Sequence, residues 1–124
     1  MDWLITELPA MQQPYLGYFH VLPPHEPHNP RKEFIGIFQD DYAPIPKPRS
    51  PFSEGLTDDF LKKSRMEYDE NLAYADSEFG RLYDAMLQQG TLDNTVVIVT
   101  ADHGEMFERG IETAIVYLEE LANL

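Results

Sequence analysis

Apolar residues along this chain fall into stretches with different periods, and each period predicts a different element. Residues 1–12 carry Trp3, Leu4, Ile5 and Leu8, a weak helical pattern closed by Pro9. Tyr15-Leu16-Gly17-Tyr18-Phe19-His20-Val21-Leu22 is aromatic, β-branched and apolar at successive positions, and Pro23-Pro24 stops it. That run predicts a strand covered on both faces, ended by a proline pair that cannot continue a ladder. Leu61, Tyr68, Leu72, Ala75, Phe79, Leu82 and Met86 recur at helical spacing. Thr57 is placed to cap the start of this helix, Asp58 and Asp59 to complement its dipole, and Gly90 to close its C-terminal end. A helix so bounded has roughly nine turns. Its aromatic stripe reads as core, and Gly80 inside it reads as a point of close packing against a neighbour. Thr91-Leu92-Asp93-Asn94 then turns into Thr95-Val96-Val97-Ile98-Val99-Thr100, a continuous β-branched run that predicts a second strand buried on both faces. Ile111, Ala114, Ile115, Leu118, Leu121 and Ala122 predict a short amphipathic helix reaching the last residue.

Strand, long loop, helix and strand together predict an α/β class with one βαβ crossover, right-handed and with parallel strands. Two parallel strands do not make a stable sheet by themselves, and parallel sheets need both faces covered. The chain therefore reads as the middle of a larger α/β domain. Between the first strand and the helix, residues 23–55 hold most of the ten prolines. Pro44, Pro46, Pro48 and Pro51 alternate with Ile45, Lys47, Arg49 and Phe52, which fits either a polyproline ligand or an ordered surface loop beside a site. Phe34, Phe38, Tyr42 and Phe52 favour the ordered loop, since disordered segments are poor in aromatics.

Composition changes this picture in three ways. The 124 residues, 43% hydrophobic, suffice for one modest domain with one core. The net charge of -13 argues against nucleic acid and anionic membrane as partners, because both need positive charge. There is no cysteine, which removes disulfides, thiolate metal sites and a cysteine nucleophile. No run approaches the ~18 consecutive apolar residues of a membrane span, and no basic segment precedes an apolar one as in a leader peptide. A cytoplasmic location is the corresponding expectation.

The candidate chemistry sits where the second strand ends, in Ala101-Asp102-His103-Gly104-Glu105. Open α/β sheets bind ligands at the carboxyl ends of their strands. A carboxylate and a neutral imidazole on adjacent residues make half of a divalent-metal site. By itself the tripeptide fits equally an ordinary turn, with Asp102 accepting local backbone hydrogen bonds. His20, His25 and His28 cluster around Pro23-Pro24 and Pro27. With parallel strands, the His25 loop and Asp102-His103 lie at one sheet edge, where an imidazole donates to an anionic oxygen or protonates a leaving group. His28 fits a solvated loop side chain, and His20 a strand residue bonded to backbone.

Two segments resemble the sulfatase family of the alkaline-phosphatase-like superfamily. Tyr18-Phe19-His20-Val21-Leu22-Pro23-Pro24-His25-Glu26-Pro27-His28 resembles that family's strand ending in a Pro-His-x-Pro loop. Tyr68 through Leu82, then Leu92-Asp93-Asn94-Thr95, then Asp102-His103-Gly104-Glu105, resembles its long helix, the turn that follows and its metal-binding strand end. The likeness covers about residues 14–110, leaving 111–124 as a divergent helical end of a single partial domain, 1–124. It implies a partial alkaline-phosphatase-like fold and a metal-dependent sulfuric ester hydrolase. Asp102 and His103 fall on metal-ligand positions, and His25 on a residue that contacts the ester. The metal is divalent, with calcium, manganese and zinc all open, and the substrate is a small sulfate or phosphate ester.

The chain also departs from the family. Its nucleophile motif, Cys/Ser-x-Pro-x-Arg, is absent, and Arg49-Ser50-Pro51-Phe52-Ser53 does not supply it. Asp40-Asp41 lies in the loop and does not match the family's paired N-terminal aspartates. After Arg109-Gly110 no further active-site basic residue follows. The expectation is a central fragment, inactive as an isolated chain. Two alternatives stay open: a non-catalytic remnant that binds a partner or itself, and a phosphate or phosphonate ester hydrolase of the same superfamily.

Overall fold

The computed structural model describes residues 1–39, 57–105 and 107. The polyproline stretch, Asp40-Asp41, Arg109-Gly110 and the expected C-terminal helix lie outside these residues. Helix α1 spans Asp2–Glu7 and runs into a 3₁₀ turn at Leu8–Ala10. A second 3₁₀ turn lies at Lys32–Phe34. Helix α2 spans Asp58–Gln88 and dominates the chain, and a third 3₁₀ turn follows at Thr91–Asn94.

Local chemistry accounts for the limits of α2. The Thr57 hydroxyl accepts a hydrogen bond from the Phe60 amide at 3.2 Å, satisfying one of the donors that a helix start leaves open. Asp58 and Asp59 occupy the first turn. At the far end the chain leaves the helix through Gly90 at φ 72°, a left-handed conformation that costs glycine nothing.

The apolar core is small and sits at the C-terminal end of α2. Leu82 and Met86 pack there with Leu4 of α1 and Leu8 of the turn after it. Met1, Ile5, Met11, Tyr15 and Leu92 close around them. Leu61, Leu82 and Met86 of the expected stripe are buried, but Leu72 is exposed. In the middle of α2 the buried positions are polar: Ser64, Glu70, Asn71 and Glu78. The physical reason is what covers that face. The segment 28–37 lies along it and brings a backbone amide and a guanidinium, which call for acceptors rather than methyls. The Gly36 amide donates to Glu70 Oε1 at 2.6 Å. Glu78 takes Arg31 at 3.2 Å and Arg81 at 2.8 Å. Arg81 also reaches Asp2 at 2.6 Å, so one guanidinium ties α1 to α2. Gly80 corrects the sequence reading: a Cβ there would meet nothing within 4 Å.

The two runs read as strands, 15–22 and 95–100, form no strand among the described residues. Thr95 has extended angles, φ -130° and ψ 131°, and neither run is helical. Apart from Tyr15, which packs against the core, their side chains are largely open to solvent, with Leu16 at 99% and Val96 at 86% exposure. The expected parallel pairing is therefore absent here. A β-prone run without neighbouring strands has no ladder to join, and a two-stranded sheet is marginal in water.

Candidate metal and ester site

The site residues lie on the loops that follow the two extended runs. After Leu22 the chain turns, and the His25 amide donates to the Leu22 carbonyl at 2.8 Å. The His25 ring then lies with Nδ1 2.7 Å from the Glu26 carbonyl oxygen. A carbonyl only accepts, so Nδ1 carries the hydrogen and Nε2 is directed away from this contact. The His103 ring is held the same way, its Nδ1 3.0 Å from the Gly104 carbonyl. This hydrogen bond leaves the lone pair of the neutral ring on Nε2, the arrangement that orients a histidine toward a metal.

Asp102 Oδ1 accepts from the His103 amide at 3.0 Å, a local turn that fixes the carboxylate beside the imidazole. Its Oδ2 stands 4.0 Å from His103 Nε2. Backbone hydrogen bonds, first its own amide and then that of His103, hold the Asp102 carboxyl below the ordinary aspartate value of 3.8. The charges of His103 and His20 act in the same direction. The Asp102 side chain is 83% exposed and that of His103 is 18% exposed, so one donor faces solvent and the other is sheltered.

These two residues fit a divalent ion as a half site. A separation of 4.0 Å is within the span of two donors on one ion, which is twice a bond of about 2.0–2.4 Å. The ligand types are an anionic oxygen and an imidazole nitrogen, the mixture that first-row ions and zinc accept. Among the described residues no group of three or more acidic, histidine or cysteine side chains is set to hold a metal. No hydrogen bond or ion pair joins His25 to Asp102 or His103 among the described residues.

Behind these loops the structure assembles something the sequence did not announce. A cavity of about 220 Å³ is lined by Arg65, Tyr68 and Asp69 of α2 together with Glu105 and Phe107. The His28 ring stands edge-on to Tyr68 at 5.7 Å, and Phe107 meets the same tyrosine at 5.6 Å. His28 is thus a packed side chain and not a solvated one. The one available signal was Tyr68 itself, an aromatic in a helix stripe assigned wholly to core.

The Sulfatase family model matches residues 1–121, and the chain belongs to the sulfatase family. That family has an alkaline-phosphatase-like α/β fold and uses a divalent metal ion. The chain is 28% identical over 107 residues to a choline-sulfatase of Rhizobium meliloti (strain 1021), a match covering 71% of this chain and 21% of that protein. It is 24% identical over 132 aligned positions to an arylsulfatase of Clostridium perfringens (strain 13 / Type A), covering 90% of this chain and 27% of that protein. The chain thus spans between a fifth and under a third of the length of these relatives. No solved structure matches it. No described helix is long and apolar enough to cross a membrane.

Proposed function

We propose that this chain is the metal-and-ester segment of a sulfatase-like sulfuric ester hydrolase, a single partial domain with no turnover in isolation. The observation that supports this most is the pairing of Asp102 and His103, with Oδ2 and Nε2 4.0 Å apart and the imidazole turned by the Gly104 carbonyl. Asp102 supplies an anionic oxygen that stays ionised below the usual carboxylate range. His103 supplies the Nε2 lone pair. Asp102 and His103 would hold a divalent ion, which when bound would supply charge withdrawal at an ester oxygen. His25, on the loop after the first extended run, would donate from Nε2 to the ester oxygen when protonated. The parallel βαβ unit belongs to the same reading, with 15–22 and 95–100 as strands of a wider sheet. The nucleophile is not carried by this sequence, which has no cysteine and no Ser-x-Pro-x-Arg motif.

The substrate is a small sulfate ester, with phosphate or phosphonate esters as the alternative that the same donors would serve. Calorimetry with calcium, manganese and zinc tests the assignment. Weak binding, as two protein ligands and water would give, should disappear in Asp102→Ala/His103→Ala, with no aryl sulfate hydrolysis by either chain. Tight binding unchanged by the double substitution removes the site.

The exposure of Leu16, Val96 and Ile98 favours a second reading of the isolated chain, in which its extended runs associate with another copy. That reading needs no metal.

A further inference from the structure

We propose that Tyr68 is the positioning residue of this site, the ring through which α2 holds the His25–His28 loop and the Asp102–His103 loop in register. The inference rests on the metal-and-ester reading above and adds a residue to it.

Three segments far apart in sequence meet at this ring. His28 approaches it edge-on, with an interplanar angle of 81°, and Phe107 approaches at 62°. These are the geometries in which a positive ring edge meets a negative ring face, each pair contributing beyond simple burial. His28 lies three residues after His25, and Phe107 lies four after His103. Each ring is thus anchored within one short loop of a proposed site residue. Neither nitrogen of His28 has a hydrogen-bond partner among the described residues, and both are shielded from solvent. The contact with Tyr68 therefore stands in place of a polar anchor for that ring. On the other side, Glu105 lines the cavity beside Tyr68, and its charge, after burial, raises the tyrosine's pKa. The loop after His103 is thereby close to Tyr68 through two of its side chains.

The contacts use the ring and not the hydroxyl. Phenylalanine at this position keeps both edge contacts, whereas leucine fills part of the space and offers no ring face. This difference separates positioning through the ring from a role for the phenol.

The absence of cysteine allows a clean distance test. A cysteine at Gly104 meets nothing within 4 Å at its Cβ, so Gly104→Cys accepts a nitroxide label beside His103. The label broadens the imidazole proton resonances of His25 and His28 when the two loops are held together. In the Gly104→Cys background, Tyr68→Phe should keep that broadening and Tyr68→Leu should lose it while the helical circular dichroism of α2 persists. If Tyr68→Leu melts α2, Phe107→Leu decides, because it frees the second loop and leaves the helix ring in place; loss of broadening is again expected. Broadening retained in a helical Tyr68→Leu chain, or in Phe107→Leu, overturns the proposal, as does its loss in Tyr68→Phe. No metal enters this experiment. A failed calorimetric titration would overturn the metal reading alone, and retained broadening would overturn the role of Tyr68 alone.

Discussion

At the scale of single residues, adjacency decided what could be read. Asp102 and His103 are neighbours in sequence, so their placement together follows from the chain itself, and the turn that fixes them is local. Tyr68, His28 and Phe107 come from three separate segments, and no sequence pattern announces their meeting. The same holds for Arg81 and Asp2, 79 residues apart. Asp2 makes a pH prediction. Its hydrogen bond to Arg81, then the Arg81 charge, lower its pKa in the folded chain below 3.8. A group depressed on folding stabilises the fold above its unfolded pKa and loses that contribution as pH falls through the folded value. The docking of α1 should therefore persist from neutral pH down to about the ordinary aspartate range and loosen below it. The fluorescence of Trp3, which follows Asp2 and is the chain's single tryptophan, reports this. In Asp2→Asn the acid transition should shrink. An equal transition in that variant would assign the loosening to other carboxylates.

At the scale of elements, α2 is the part the sequence specified best. Its cap, its acidic first turn and its glycine exit are all local devices, and each is formed. The burial of its middle face was misread, because burial there depends on the segment 28–37 and not on the helix. Two glycines in and after α2 make opposed predictions. Gly80→Ala should raise thermal stability by about 1 kcal/mol, since alanine is the better helix former and its Cβ has open space. Gly90→Ala should lower it by roughly 1–2 kcal/mol from the left-handed backbone alone; the contact with Asp93 at 3.6 Å is ordinary. Urea melts of the two variants check both signs. Thr57→Ala should cost about 1 kcal/mol through the lost cap.

At the scale of the molecule, the extended runs 15–22 and 95–100 are the unfinished business of the fold. Their β-branched and aromatic content was legible, and their pairing was not, because a ladder belongs to the partners as much as to the strand. Exposed β-prone runs without charged side chains are templates for association. The net charge of -13 opposes close approach of two copies, and salt screens that repulsion. Light scattering should therefore show association that grows with protein concentration and with ionic strength. A monomer at all salt concentrations, with a sharp cooperative melt, would show that the runs are satisfied within the chain.

The central claim, that Asp102 and His103 form the metal half site, is tested most directly by proton NMR of the four histidines during titration with manganese. Paramagnetic broadening should strike the His103 ring first and should be lost from that ring in Asp102→Ala, which keeps the imidazole as reporter. Broadening that begins at His28, or that reaches all four rings together and survives Asp102→Ala, would contradict the account.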